Sequence, residues 1–204
     1  MILEFFFDLA SPYAYLGLVR MLSHEARTGC SVGWRPVDLE ELKRSAGNIG
    51  PALRDLPAKL RYVQQDTRRW AARYGVPLAQ PAGLASLRIN RGTFFADDRG
   101  VASRYLQAAA LRVWSEGGAC EDESLLASLA LDMGWEPQEF LHYTLSPAAA
   151  DRQRKTLERA REAGVFGVPT IVVAGESWWG NDRLDFALAK PAADRRALGV
   201  PAHG

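Results

Sequence analysis

Apolar positions open the chain as a block. Ile2 to Phe7 is an aromatic-rich run of strand length that ends at Asp8-Leu9-Ala10-Ser11-Pro12. The period then changes: Tyr15, Leu16, Leu18, Val19 and Leu22 recur at helical spacing behind Ser11 as N-cap and Pro12 as first helical residue. This predicts a helix from Pro12 to Thr28, stopped by Gly29. Ser31 to Val37 returns to strand language, which makes a strand, helix, strand unit with a parallel crossover. From Leu39 to Gly164 helical periodicity takes over, broken by Gly/Pro-rich joints at 47–51 and 75–83. Helices are predicted at Pro57 to Tyr74, Ser103 to Glu116, Asp122 to Met133, Pro137 to Tyr143 and Pro147 to Ala163. Pro169 to Val173, a tight Ala174-Gly175-Glu176 turn and Ser177-Trp178-Trp179 then predict a hairpin, and Asp182 to Ala189 a closing helix.

In order, these elements are βαβ, a long helical block and ββα. The expected fold class is α/β, with sheet segments 1–38 and 165–204 flanking an inserted helical domain at 39–164. At 204 residues, 48% hydrophobic and 24% charged, the chain is long enough for one sizeable core. Lys and Arg total 25 against 24 Asp and Glu, so the balance gives no electrostatic case for nucleic acid or anionic lipid as partner. Two distant cysteines, Cys30 and Cys120, and the scattered His24, His142 and His203 have no metal-site or redox spacing. The opening residues carry Glu4 and Asp8, no basic leader and no apolar stretch of about 18 residues. The expectation is a chain without signal peptide or membrane anchor, in a reducing cytoplasm.

A βαβ and ββα pair around one sheet, with Val168-Pro169 before the third strand, is the layout of thioredoxin-like folds, whose active group sits at the start of the first helix. Ser11-Pro12-Tyr13-Ala14 occupies that place and contains no sulfur, which excludes disulfide exchange there. What survives is an anion site made by free N–H groups and the helix dipole. Ser11 by itself reads as a helix cap, and it is the first strand and the later Val168-Pro169 that add the anion-site reading. Val168-Pro169 is either an ordinary strand-entry proline or a cis bond that turns the Val168 backbone toward the first helix, ready to pair with an extended peptide. In Trp178-Trp179-Gly180-Asn181-Asp182-Arg183-Leu184, Asn181 or Asp182 reads as an N-cap, and the Asp182 carboxylate also suits the ammonium of an amino-acid-like ligand.

These residues resemble the 2-hydroxychromene-2-carboxylate isomerases, relatives of the kappa-class glutathione transferases. The resemblance is carried by Phe5-Phe6-Phe7-Asp8 with Ser11 to Leu16; by Ile49-Gly50-Pro51 through Arg54-Asp55-Leu56 to Lys59; by Trp70-Ala71 and Tyr74 to Leu78; and by Val165 to Thr170 with Trp178 to Leu184. It implies glutathione as cofactor, with Ser11 bonded to its sulfur, Val168 and Pro169 against its cysteinyl backbone, and Trp179, Gly180, Asn181 and Asp182 around its γ-glutamyl end. It further implies interconversion of 2-hydroxychromene-2-carboxylate, or a similar aromatic-degradation intermediate, and trans-o-hydroxybenzylidenepyruvate by a homodimer. The small aromatic 2-oxo acid would face Lys43 and Arg54, which otherwise read as solvated charges. Leu53 stands where the family pattern has a polar residue and Leu84 where it has an aromatic one; both are pocket candidates or packing residues. A kappa-like transferase or peroxidase, and a non-catalytic thioredoxin-fold binding module, are the other readings.

Overall fold

The computed structural model describes residues 3–189. Four strands form one mixed sheet in the order β2-β1-β3-β4, where β1 is Leu3–Phe7, β2 Val32–Pro36, β3 Thr170–Val173 and β4 Glu176–Trp179. β1 runs parallel to β2 and antiparallel to β3, with Phe6 opposite Thr170, and β3 runs antiparallel to β4. β1 is central because it is apolar on both faces: Phe5, Phe6 and Phe7 are fully buried, and Phe5 and Phe7 meet Trp34 edge-on. The turn from β3 to β4 uses Ala174 and Gly175, both at positive φ, as a two-residue hairpin requires. Of the first predicted strand, Ile2 lies outside the described residues, as do 190–204 of the last sheet segment.

α1 is Pro12–Thr28, with Ser11 as N-cap and Gly29 at φ 65 as its stop. Between β2 and β3 lie α2 (Leu39–Ser45), α3 (Pro57–Tyr74), α4 (Leu87–Asp97), α5 (Ala102–Ala110), α6 (Glu123–Asp132), α7 (Pro137–Leu145) and α8 (Pro147–Glu162), and α9 (Leu184–Ala189) closes the described chain. This is the thioredoxin-like α/β order with helices interposed. One buried apolar cluster runs from the strands into the helices, so the sheet and the interposed helices share a core.

Two helices, α2 and α4, go beyond the predicted set, and two expectations are corrected. α4 was not foreseen: Ile89, Asn90, Gly92, Thr93, Phe94, Phe95 and Ala96 are all buried, so no amphipathic stripe marks it, and Ser86 makes no cap bond. The helix expected over Ser103 to Glu116 divides, α5 ending at Ala110 and a π-helical turn covering Leu111–Ser115. That turn carries Trp114, whose indole N–H donates to the Leu9 carbonyl at 2.8 Å. The closing helix does not begin at Asp182. A 3₁₀ turn over Asn181–Arg183 comes first, Gly180 is its cap residue at φ 105, and neither Asn181 nor Asp182 forms a side-chain cap bond.

Candidate functional site

The sheet topology brings two distant segments together. Because β1 and β3 are antiparallel, the residues that leave β1 and those that enter β3 lie at the same end of the sheet. Ser11 belongs to the first group and Val168-Pro169 to the second. α1 packs directly on that proline: a Cβ on Gly17 would lie 3.1 Å from Pro169 Cγ and 3.2 Å from Phe5 Cζ, so any larger residue would have to push these neighbours back by a few tenths of an ångström.

Ser11 is buried, and its Oγ accepts from the Ala14 N–H at 3.2 Å. Accepting that bond leaves the hydroxyl proton available to donate. Pro12 has no N–H, and the Tyr13 N–H has no partner among the described residues, so one backbone donor and one hydroxyl donor remain at the positive end of a 17-residue helix. The Val168-Pro169 bond is cis, and Val168 is buried with neither its N–H nor its carbonyl hydrogen-bonded among the described residues.

Beside these lies the turn after β4. The Gly180 N–H donates to the Pro169 carbonyl at 2.9 Å, which ties the turn to the cis proline. Trp179 is exposed and packs on Phe166, with ring centroids 5.1 Å apart. Asn181 is buried, its carbonyl accepting from Tyr74 Oη at 3.3 Å. The Asp182 carboxylate pairs with its neighbour Arg183 at 2.6 Å and remains partly exposed. Thus Ser11, Val168, Pro169, Trp179, Gly180, Asn181 and Asp182 converge on one end of the sheet.

The four expected substrate residues are not joined to Ser11 by hydrogen bonds or ion pairs. Lys43, on α2, pairs with Glu40 at 3.3 Å one turn earlier. Arg54 is 85% exposed and is 3.9 Å from Asp55. Leu53 is half-buried in a 3₁₀ turn (Leu53–Asp55), and Leu84 is exposed in the stretch before α4.

The structure gives contacts to residues that the sequence reading left without a role in the site. Tyr13 Oη donates to Asp66 Oδ2 on α3 at 2.8 Å. Burial first, then that bond and the nearby negative charges of Asp66 and Asp182, push the Tyr13 phenol well above its ordinary value, so it stays a neutral donor. Tyr74 is also raised, chiefly by burial, and Arg20 lies over its ring at 5.2 Å while pairing with Asp185. These pairings link helices far apart in sequence; a tyrosine two residues after the cap was the only local sign. The buried Cys120 thiol is pushed up to about 12 by burial and by the charges of Asp8 and Glu121, which makes it a poor nucleophile. Among the described residues no His, Cys, Asp and Glu group is arranged to hold a metal, and no helix is long and apolar enough to cross a membrane. Two surface clefts, of about 360 and 280 Å³, lie elsewhere, flanking α8 on its Arg152 and Arg154 sides.

Residues 2–190 match the family of DSBA-like thioredoxin domains. A 2-hydroxychromene-2-carboxylate isomerase of Pseudomonas putida is 40% identical over 184 residues, which cover 90% of this chain and 91% of that protein. Glutathione S-transferase kappa 1 of Homo sapiens is 26% identical over 204 residues, covering 89% of this chain and 87% of the transferase. A solved selenomethionine 2-hydroxychromene-2-carboxylate isomerase superposes with a TM-score of 0.90 at 37% identity, covering 98% of this chain and 100% of that one.

Proposed function

From the premise that the chain belongs to the DSBA-like thioredoxin domains and, within them, to the 2-hydroxychromene-2-carboxylate isomerases, we propose that it is a glutathione-dependent isomerase. Its substrate would be 2-hydroxychromene-2-carboxylate or a similar small aromatic 2-oxo acid, converted to trans-o-hydroxybenzylidenepyruvate. The observation that carries the reading is the pairing of a sulfur-free helix N-terminus at Ser11 with the unbonded Val168 backbone.

The residues fit a tripeptide thiol. Val168 offers one N–H and one carbonyl, the pattern with which an extended peptide pairs. The Asp182 carboxylate suits an ammonium, and Trp179, Gly180 and Asn181 frame it. Pro169 braces α1 through Gly17. When bound, glutathione supplies a thiolate that adds reversibly to a conjugated double bond, turns it into a rotatable single bond, and is released unchanged.

Ser11 and the Tyr13 N–H would stabilise negative charge at the sulfur, helped by the helix dipole, so Ser11 is a donor and not a nucleophile. Lys43 would steady the substrate carboxylate and the developing enolate, with Arg54, Leu53 and Leu84 lining the same side. In this reading the segments 1–38 and 165–204 hold the thiol and 39–164 the electrophile. A cytoplasmic location and a homodimer belong to the same proposal.

Calorimetric titration with glutathione and spectrophotometric isomerisation of 2-hydroxychromene-2-carboxylate test it. Binding with turnover and no consumption of glutathione is expected; absence of binding would sink the reading. Accumulation of a conjugate or of oxidised glutathione would instead favour the kappa-like transferase or peroxidase, the class of the 26%-identical relative.

A further inference from the structure

Asp8 is 4% exposed, and no arginine, lysine or histidine among the described residues pairs with it. It is held by uncharged donors alone. Oδ1 accepts from the Ala10 N–H at 2.9 Å, from Asn90 Nδ2 at 2.8 Å and from the Ser86 hydroxyl, and Oδ2 accepts from the Leu39 N–H at 2.9 Å. Such charge-assisted bonds make a buried carboxylate tolerable and fix its geometry.

The donors come from three segments. Ala10 lies in the turn before α1, Leu39 opens α2, and Ser86 and Asn90 open α4. Asn90 reinforces the junction, its Oδ1 accepting from the Leu9 N–H at 3.1 Å and its Nδ2 reaching the Val37 carbonyl at 3.3 Å. Each segment carries a group of the proposed site. The Ser11 N–H bonds the Asp8 carbonyl at 3.0 Å, Lys43 follows Leu39 on α2, and Leu84 precedes Ser86.

We propose that Asp8 is a positioning residue, whose carboxylate fixes the turn bearing Ser11 against the segments bearing Lys43 and Leu84. The proposal rests on the functional reading above. Asp8 is not among the residues assigned to either ligand, so its loss leaves thiol binding in place while the thiol and electrophile sides drift apart. A misplacement of about 1 Å is enough to cost roughly a hundredfold in rate.

Asp8→Asn is near-isosteric, yet its amide nitrogen faces an N–H whichever way it is turned: that of Leu39, or those of Ala10 and Asn90. Ser86→Ala removes one donor only. For wild type and both variants, glutathione Kd, kcat, KM and amide hydrogen exchange are measured. Asp8→Asn should lose about tenfold or more in kcat with glutathione Kd changed less than about threefold. Exchange at Ala10 and Leu39 should accelerate while that of β3 does not, and Ser86→Ala should move the same way by less. Wild-type kcat and KM in Asp8→Asn would overturn the proposal, and so would parallel loss of turnover and glutathione affinity with a uniform rise in exchange. If Asp8→Asn does not fold, Ser86→Ala decides on the same readouts, unchanged kcat counting against. A wild type that neither binds glutathione nor isomerises defeats the functional reading instead; local exchange at Ala10 and Leu39 then shows whether the carboxylate ties these segments, and its absence overturns the tie as well.

Discussion

Ser11→Ala separates the cap role of the hydroxyl from its proposed role as a donor to a bound thiolate. As a cap, Oγ accepts a single N–H at 3.2 Å, a long bond. Caps of this kind contribute about 0.5–2 kcal/mol, and about 1 kcal/mol suits this length. In a chain of 204 residues that is a fall in Tm of about 2–4 °C. As a donor to a bound thiolate, the hydroxyl contributes about 1.5–3 kcal/mol, the range for hydrogen bonds to charged groups. That corresponds to about ten- to a hundredfold in kcat/KM, and to about one to two units in the thiol pKa. The donor favours the anion and so lowers the pKa of a thiol whose free value is about 8.5; its removal moves the pKa back up. Activity near neutrality should therefore fall steeply and recover in part as pH rises. The assays are the pH profile of kcat/KM, the ultraviolet absorption of the bound thiolate against pH, and thermal unfolding. An unchanged thiol pKa, with turnover reduced by less than about threefold, would leave Ser11 as a cap alone and refute the role.

Asp182→Asn should weaken glutathione binding by about ten- to a hundredfold, a charge-assisted bond of about 1.5–3 kcal/mol, yet spare N-acetylcysteine, which has no ammonium; equal affinities in calorimetry would place that end of the ligand elsewhere. Leu53→Asn with Leu84→Tyr should shift the ratio of kcat/KM toward hydroxylated chromene substrates over benzylidenepyruvates lacking the hydroxyl, with glutathione Kd unchanged; a constant ratio removes both leucines from the pocket. Burial raises the Glu4 carboxyl, but hydrogen bonds from Arg159 and Arg35 outweigh it and leave the pKa below the ordinary glutamate value. A depressed pKa means that this stabilisation is full above about 4.5 and is lost as pH falls through the folded value. The Tm gap between wild type and Glu4→Gln should accordingly be widest near neutrality and close in acid; a gap that persists at low pH would contradict the linkage.

What the sequence announced was local. Ser11 and Pro12 before an apolar stripe, Gly29 after it, and an Ala-Gly turn between a β-branched run and a tryptophan pair are each decided by a few neighbouring residues, and all appear in the structure. α4 was hidden because it is buried nearly all round and Ser86 turns to Asp8, not to its own helix. The π-helical turn escaped notice because Trp114 is set by a long-range bond to Leu9. Asn181 and Asp182 carry the residue types of a cap, but the positive φ of Gly180 puts the bend one residue earlier. Of the site, the Ser11 and Val168 elements were legible. The bonds of Asp66 and Tyr74 were not, since their partners Tyr13 and Asn181 are 53 and 107 residues away and only the fold brings them together.

The antiparallel register of β1 and β3 has a consequence for how such a chain can change over generations. Ser11 and Val168 lie at the same end of the sheet because of strand pairing, and everything between β2 and β3 is, topologically, a single loop whose two ends are held by their pairing with β1. The entropic cost of closing a loop grows only with the logarithm of its length, about 0.6 kcal/mol for each doubling. Chain closure therefore sets little limit on the length of the joints between those helices, whereas the apolar core they share with the sheet does limit which faces can change. Length can thus be added in the joints, away from that core, without moving Ser11 relative to Val168.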